Sequence, residues 1–389
     1  MTLKITWNEA SARRMERQSL AVPARGGTPV ADVVGAMLGA HAQVLSAAEV
    51  SVGVRADGVT RADVRAALWE DRSLVKTYGP RGTVHLLPTS ELPLWTAALT
   101  AIPSGRSPFA PAVRLTEEQA DEVVAAIGDA LDGARLTIDE LSDEVVTRTG
   151  SWAGDLVMPA FQGMWPRWRQ VMHRAGQRGA LCFAPNRGRK VTYTRPPHFE
   201  PLAADEGLAL LVGRYLRAYG PATPGRFAKW AAAPRGWATE LFASLAGAGV
   251  IEEVDFEGSA WVAAGDTEFP EAPVRGVRLL PYFDAYAIAA GPREMLFPGP
   301  AYARALAGGQ AGNFPVLLVD GVVAGVWHQR RRGGRTTVTV EPLEGLTAKR
   351  ERELAEQVAR LSTFSLIVVG VAQVGDVASS GRAGWRQRR

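Results

Sequence analysis

Val33-Val-Gly-Ala-Met-Leu-Gly-Ala-His-Ala-Gln-Val44 closes a run in which Val30, Val33, Val34, Met37 and Leu38 recur at helical spacing. One face of a helix is therefore apolar up to this point. Gly39 predicts the stop, because glycine takes the left-handed backbone that ends helices at little cost. His41 and Gln43 follow, two residues apart. On a helix such a pair diverges by about 200°; in extended chain both members point the same way. Past the helix end they aim at one spot, an imidazole that holds or releases a proton beside an amide that both donates and accepts. Taken alone, the more ordinary reading is a helix C-terminus whose backbone groups are satisfied by polar side chains.

Working outward, Thr6 or Asn8 caps a first helix with Glu9 in its acidic first turn. Behind the central stretch, Ala47 to Arg55 and the Thr60-capped run to Trp69 read as helices, and Leu74–Tyr78 and Thr83–Leu87 as strands about Gly79-Pro80. Helices closed by a hairpin are the layout of a winged helix. The layout recurs. Thr116 to Leu131 and the run opened by Thr137, with Glu140 completing a capping box, are helical. Phe161 to Arg174 predicts an irregular third helix, and strands Ala180–Ala184 and Lys190–Tyr193 flank a basic turn. It recurs again in Asp205–Ala218, Thr223–Trp230, Trp237–Ala248 and a hairpin turning at Glu257-Gly258. Beyond Gly265 the chain is rich in strands, with an Asp320-Gly321 turn and one amphipathic helix from Lys349 to Leu361. The expected class is α+β: three helix–hairpin units over 1–112, 113–199 and 200–266, a β-barrel-like domain over 267–377, and a basic disordered tail over 378–389.

Composition narrows the function. The chain has 389 residues, 47% of them hydrophobic, enough for several cores. No apolar run reaches the roughly 18 residues of a membrane span, and Met1 to Asn8 does not read as a secretory leader. A lone Cys182 excludes an internal disulfide and a four-cysteine zinc site, and the five histidines show no metal spacing. A cytoplasmic protein without metal or cofactor is expected. Net charge is +4 and the pI about 9.4, with arginine gathered in Asn186-Arg-Gly-Arg-Lys190, Arg330-Arg-Arg-Gly-Gly-Arg335 and the tail from Arg382 to Arg389. Arginine clustered beside glycine suits a loop that touches phosphates.

Four runs, taken together and in order, resemble the AlkZ/YcaQ-like family of winged-helix interstrand-crosslink DNA glycosylases. They are Leu38-Gly-Ala-His-Ala-Gln43, Arg81-Gly-Thr-Val-His-Leu86, Leu279-Leu-Pro-Tyr-Phe-Asp-Ala-Tyr286, and Gly312-Asn-Phe-Pro315 leading to Leu317-Leu-Val-Asp-Gly321. The resemblance spans nearly the whole chain. It implies three tandem winged helices forming a C-shaped track on double-stranded DNA, a β-barrel behind them, and excision of bulky N7-alkylated purines, crosslinks included. The family's catalytic motif is glutamine–aliphatic–glutamine, or aspartate at the last place. Gln43 falls on the last position; His41 stands where glutamine is commoner, a departure that bears on substrate choice. Asp284 is implied as a further catalytic carboxylate, with a strand-end turn residue as the equal alternative.

An N7-alkylated guanine already carries a positive charge and leaves without a general acid. The catalyst has to place a water at the anomeric carbon. Gln43 suits that task, and neutral His41 suits acceptance of the water's proton, with a pKa of about 6.5 if unperturbed. The expected DNA contacts are Arg81, Thr83 and His85 in the first wing, Arg187, Arg189 and Lys190 in the second, and Arg330, Arg331, Arg332 and Arg335 in the C-terminal domain. The spacings of Trp165, Trp168 and Trp327 favour core packing over base stacking. The protein is expected to act as a monomer on alkylated duplex DNA. A winged-helix regulator without catalysis, or a protein that sequesters a small genotoxin, would share the same layout.

Overall fold

The computed structural model describes residues 2–372 apart from 104, 106, 108, 161–162, 333–334 and 366–368; side chains at 331–335 and 365–372 are also outside the description. The fold is mixed α and β. Helix α1 (Trp7–Arg17) opens on a Thr6–Glu9 capping box. The first unit follows as α2 (Val30–Ala36), β1 (Ala40–His41), α3 (Leu45–Gly53), α4 (Arg61–Trp69), β2 (Leu74–Tyr78) and β3 (Val84–Pro88), with α5 (Leu92–Ala101) behind. Its three strands lie in the order β1-β3-β2. The second contains α6 (Glu117–Ala130), β4 (Leu136–Thr137), α7 (Ile138–Thr149), β5 (Leu156–Ala160), β6 (Gly163–Pro166), α8 (Met172–Gln177), β7 (Cys182–Arg187) and β8 (Lys190–Thr194). Its sheet has the matching order β4-β8-β7. The third has α9 (Ala204–Tyr219), α10 (Pro224–Ala231), α11 (Arg235–Gly247), β9 (Ile251–Asp255) and β10 (Ser259–Ala263). Here the short first strand is reduced to one bridge, Ala222 to Trp261.

Where an irregular third helix was expected from Phe161 to Arg174, residues 156–166 instead form the β5–β6 hairpin. A 3₁₀ turn (Arg167–Val171) and α8 supply the helix. Pro159 and Pro166 remove donors that a helix needs, and a short hairpin with an outward edge tolerates them.

The C-terminal region holds β11 (Val277–Leu280), α12 (Ala285–Ala289), α13 (Arg293–Leu296), α14 (Pro300–Ala305), β12 (Val316–Val319), β13 (Val322–Arg332), β14 (Arg335–Pro342), α15 (Ala348–Ser365) and β15 (Val369–Ala372). Its sheet runs β11-β12-β13-β14-β15, and β11 does not pair with β15 among the described residues, so the expected barrel is an open five-stranded sheet. The tail over 378–389 lies outside the described residues.

Two packing facts position the site. Val33, Val34, Met37 and Leu86 of the first unit share one core with Leu279, Leu317 and Val326 of the C-terminal sheet. The N-terminal segment packs Met15 and Leu20 into that same core and also reaches the third unit. Ile5 donates its N–H to the carbonyl of Asp255 at 2.8 Å, and Ile5 and Ala10 pack with Val254 and Phe256 of the third unit. Buried Arg14 donates to the carbonyls of Tyr219, Gly220 and Pro221 through Nε and Nη2, while its Nη1 is buried unpaired.

Candidate active site

Helix α2 ends at Ala36, and its last turn closes through Leu38 N–H to the Gly35 carbonyl (2.9 Å) and Gly39 N–H to the Val34 carbonyl (3.0 Å). Gly39 sits at φ +90°, where a Cβ would stand 2.8 Å from the Leu87 side chain. A side chain there would be strained by its backbone and crowded by its neighbour. The Tyr219 hydroxyl donates to the Met37 carbonyl at 2.5 Å, fixing the helix end to the third unit. The chain then becomes β1, with His41 opposite His85 and the Ala42 N–H donated to the Val84 carbonyl at 2.7 Å. Strand β1 ends at His41, so His41 lies on the sheet and Gln43 just past its end.

The two differ in exposure. Gln43 is exposed, and its Oε1 accepts the Val84 N–H at 3.3 Å, so its Nε2 faces outward. His41 is only 8% exposed, its Nδ1 buried without a hydrogen-bond partner. Phe283 lies against one ring face with centroids 4.7 Å apart and planes at 28°, and His85 meets the ring edge-on at 5.1 Å. Burial, with the Arg81 charge as a lesser contributor, pushes the imidazole down to about 4. His41 is therefore neutral at working pH and a much weaker base than an exposed histidine.

Phe283 is itself held. Its φ is +56°, its N–H is donated to the Gly312 carbonyl at 2.9 Å, and a Cβ on Gly312 (φ +98°) would come within 3.0 Å of its ring. Next in sequence, Asp284 caps α12 by accepting the Tyr286 N–H. Its carboxylate accepts from Arg55 at 2.7 and 2.8 Å and from the Ser51 hydroxyl at 2.7 Å. Both Asp284 and Arg55 have fully buried side chains. Asp284, a candidate catalytic group, is thus fully buried in an ion pair with Arg55, next in sequence to Phe283. The four runs singled out in the sequence converge here: the first carries His41 and Gln43, the second His85 and Arg81, the third Phe283 and Asp284, the fourth Gly312.

The expected DNA contacts divide. His85 is 5% exposed and holds the Thr83 carbonyl through Nδ1 at 2.9 Å, so it is a wall of the site and not a wing-tip contact. Arg81 donates to the Trp230 carbonyl at 2.6 Å, tying the first hairpin to α10. Thr83 donates to the Pro80 carbonyl. In the second hairpin Arg187 pairs with Glu140 and Lys190 with Asp139, both exposed ion pairs, while Arg189 is exposed without a partner among the described residues. Arg330 is exposed on β13; the side chains of Arg331, Arg332 and Arg335 lie outside the described residues. Trp168 and Trp327 are buried, as their spacing predicts, but Trp165 is half-buried beside a cavity. Phe283, Arg55 and Ser51 were not singled out individually from the sequence. The only signal for Phe283 was its place inside the Tyr282-Phe-Asp284 run.

A family model described as DNA glycosylase AlkZ-like matches residues 34–364, and the chain belongs to this family of DNA glycosylases, hydrolases of N-glycosyl bonds. Among individual relatives, the chain is 33% identical over 384 residues to an interstrand DNA cross-link repair glycosylase of Streptomyces sahachiroi, covering 95% of this chain and all of the relative. The solved structure of the Streptomyces sahachiroi DNA glycosylase AlkZ superposes with a TM-score of 0.80 at 29% identity, over 95% of this chain and all of that one. No helix among the described residues is long and apolar enough to cross a membrane.

Proposed function

We propose that this glycosylase releases N7-alkylated purines from duplex DNA, bulky and crosslinked adducts included, in repair or in self-resistance to an alkylating genotoxin. The repair of interstrand crosslinks named for the relative supports the crosslink part of this reading. In the same reading the three helix–hairpin units are tandem winged helices forming a C-shaped track, and the chain works as a monomer. The shared strand orders β1-β3-β2 and β4-β8-β7 support it.

What supports the mechanism is the placement of His41, stacked on Phe283, two residues before the exposed Gln43, whose amide holds β3. A cationic purine leaves readily, so the sugar becomes strongly electron-poor before water bonds to it. The water's protons turn acidic only as that bond forms. A histidine of pKa about 4 is then sufficient. Its task is to accept a hydrogen bond, orient the lone pair of the water toward the anomeric carbon, and take the proton late. For Nε2 to accept, the ring proton sits on Nδ1. Gln43 completes the cradle. Its Oε1 keeps a second lone pair beyond the Val84 N–H, and its Nε2 donates. The outward Arg189 and Arg330 supply phosphate contacts. Arg187 and Lys190 join them by exchanging their exposed carboxylate partners, since solvent-screened surface pairs are weak.

The test is incubation with a duplex holding one N7-methylguanine, followed by hot alkali. Strand breaks at the adduct are expected. Intact strands after incubation of both simple and bulky adducts, with DNA binding retained, would overturn the reading.

A further inference from the structure

A row of four rings runs through the site. His85, His41, Phe283 and Tyr282 follow one another with centroids 5.1, 4.7 and 6.4 Å apart. Exposure rises along the row: His85 and His41 are buried, Phe283 is half-buried, and Tyr282 is 42% exposed. The row begins in the sheet of the first unit and ends in solvent on the C-terminal region.

A single exposed aromatic residue is ordinary on a protein surface. Tyr282 differs because the chain beside it is fixed. Pro281 is buried, and its carbonyl accepts the Asp284 N–H at 3.4 Å. Asp284 is in turn held by Arg55 and Ser51. Between them Phe283 takes φ +56°, a left-handed backbone that bulky side chains seldom adopt. Its N–H is tied to the Gly312 carbonyl, and a Cβ on Gly312 would crowd its ring. Such a conformation persists only where the surroundings enforce it, and it gathers where ligands are held. Here it accompanies one aromatic ring stacked on His41 and the next one out in water.

Tyrosine suits a surface that meets a partner, with an apolar face, a polar tip and few bonds to immobilise. Every nucleobase has a π face, so a ring at this place stacks on DNA whatever the sequence. The distances say where. Two ring contacts, of 4.7 and 6.4 Å, separate Tyr282 from His41. Neighbouring nucleotides follow one another at about 3.4 Å along a strand. A base under Tyr282 therefore lies within about three nucleotides of the sugar that meets His41.

We infer that Tyr282 is a DNA-contacting residue of this site: its ring stacks on a base near the damaged nucleotide and holds that stretch of strand against His41 and Gln43. The inference rests on the glycosylase reading above and adds to it a residue that grips the substrate by its bases, where the arginines grip phosphates.

The test uses duplexes with one N7-methylguanine and a 2-aminopurine placed in turn at each of the three nucleotides on either side. Binding of wild type should change the 2-aminopurine emission at one of these places. Tyr282→Phe should keep that change, and Tyr282→Ala should abolish it. Tyr282→Ala should also lower affinity and single-turnover release about tenfold, the scale of one lost base stack. Its melting temperature and its salt slope should match wild type, since the residue is exposed and neutralises no phosphate. An emission change that survives in Tyr282→Ala, or that appears at no position in wild type, would overturn the inference. A loss in Tyr282→Phe equal to that in Tyr282→Ala would also overturn it, by assigning the contact to the hydroxyl. A drop in melting temperature that accounts for the lost affinity would do the same, by making the ring a packing residue. If wild type releases no base, the glycosylase reading fails, and the emission on binding still decides the role of Tyr282.

Discussion

Phe283 covers one face of the His41 ring, with centroids 4.7 Å apart and planes 28° from parallel. The contact joins residues far apart in sequence and explains why His41 is a neutral, poorly basic imidazole: water is kept from that face. Replacing the ring should undo this. Phe283→Ala is expected to raise the His41 pKa from about 4 toward the ordinary value of about 6.5. An acid limb should then enter the base-release profile between pH 5.5 and 8.5. A variant whose profile stays flat would separate Phe283 from the basicity of His41.

Wild type carries the opposite expectation. Only neutral His41 accepts the water's proton, and a pKa of about 4 leaves it neutral throughout pH 5.5–8.5. Release should be flat there, whereas a histidine at its ordinary value would lose about tenfold by pH 5.5. Stability follows the same shift. The folded pKa lies below the unfolded one, so the unfolded chain binds more protons between about pH 4 and 6.5, and stability falls as pH drops through that window. His85 is displaced in the same direction by burial. Urea midpoints of wild type should drop from pH 7 to pH 4.5, and those of His41→Gln should drop less.

Asp284 separates support from chemistry. Asp284→Asn leaves the Arg55 guanidinium buried without its carboxylate, a loss of about 3–5 kcal/mol for a broken buried pair. The variant should lose thermal stability and activity together. A catalytic carboxylate would instead give a normal melting temperature with lost release, and that result would return Asp284 to the reaction.

Arg189 and Arg330 are exposed without partners among the described residues. Arg189→Glu and Arg330→Glu should each weaken binding to duplexes of any sequence and lower the salt slope by about one unit per phosphate contact. Arg187→Glu should do less at low salt, because its guanidinium already holds Glu140. An unchanged slope would make these turns solvated surface only.

Much of the fold was legible because its signals are local. Thr6 or Asn8, Thr60 and Thr137 read as helix caps, Thr137 with a capping box, and the structure has capping boxes at Thr6, Thr60 and Thr137. Strand β2, expected over Leu74–Tyr78, has those bounds. The end of α2 just before β1 follows from Gly39, which sits at φ +90°. What was not legible is non-local. The partner of Asp284 is Arg55, 229 residues earlier, and no spacing rule reaches that far. The docking of α1 on the third unit depends on pairing with Asp255 and on carbonyls at 219–221. The β5–β6 hairpin hid because Trp165 and Trp168 mimic helical spacing while their neighbours at 159 and 166 are prolines. His85 read as a wing contact because a histidine in a hairpin looks solvent-facing until its opposite number, His41, is known.

The central claim is that Gln43 and His41 hold the attacking water and do not hold the DNA. Gln43→Ala measures it most directly, since Gln43 is exposed and water can replace its Oε1 on the Val84 N–H. Single-turnover release of N7-methylguanine should fall by about a hundredfold, the scale of a lost group in water activation, with duplex affinity and melting temperature as in wild type. Release within twofold of wild type, or a loss matched by an equal loss of DNA binding, would contradict the account.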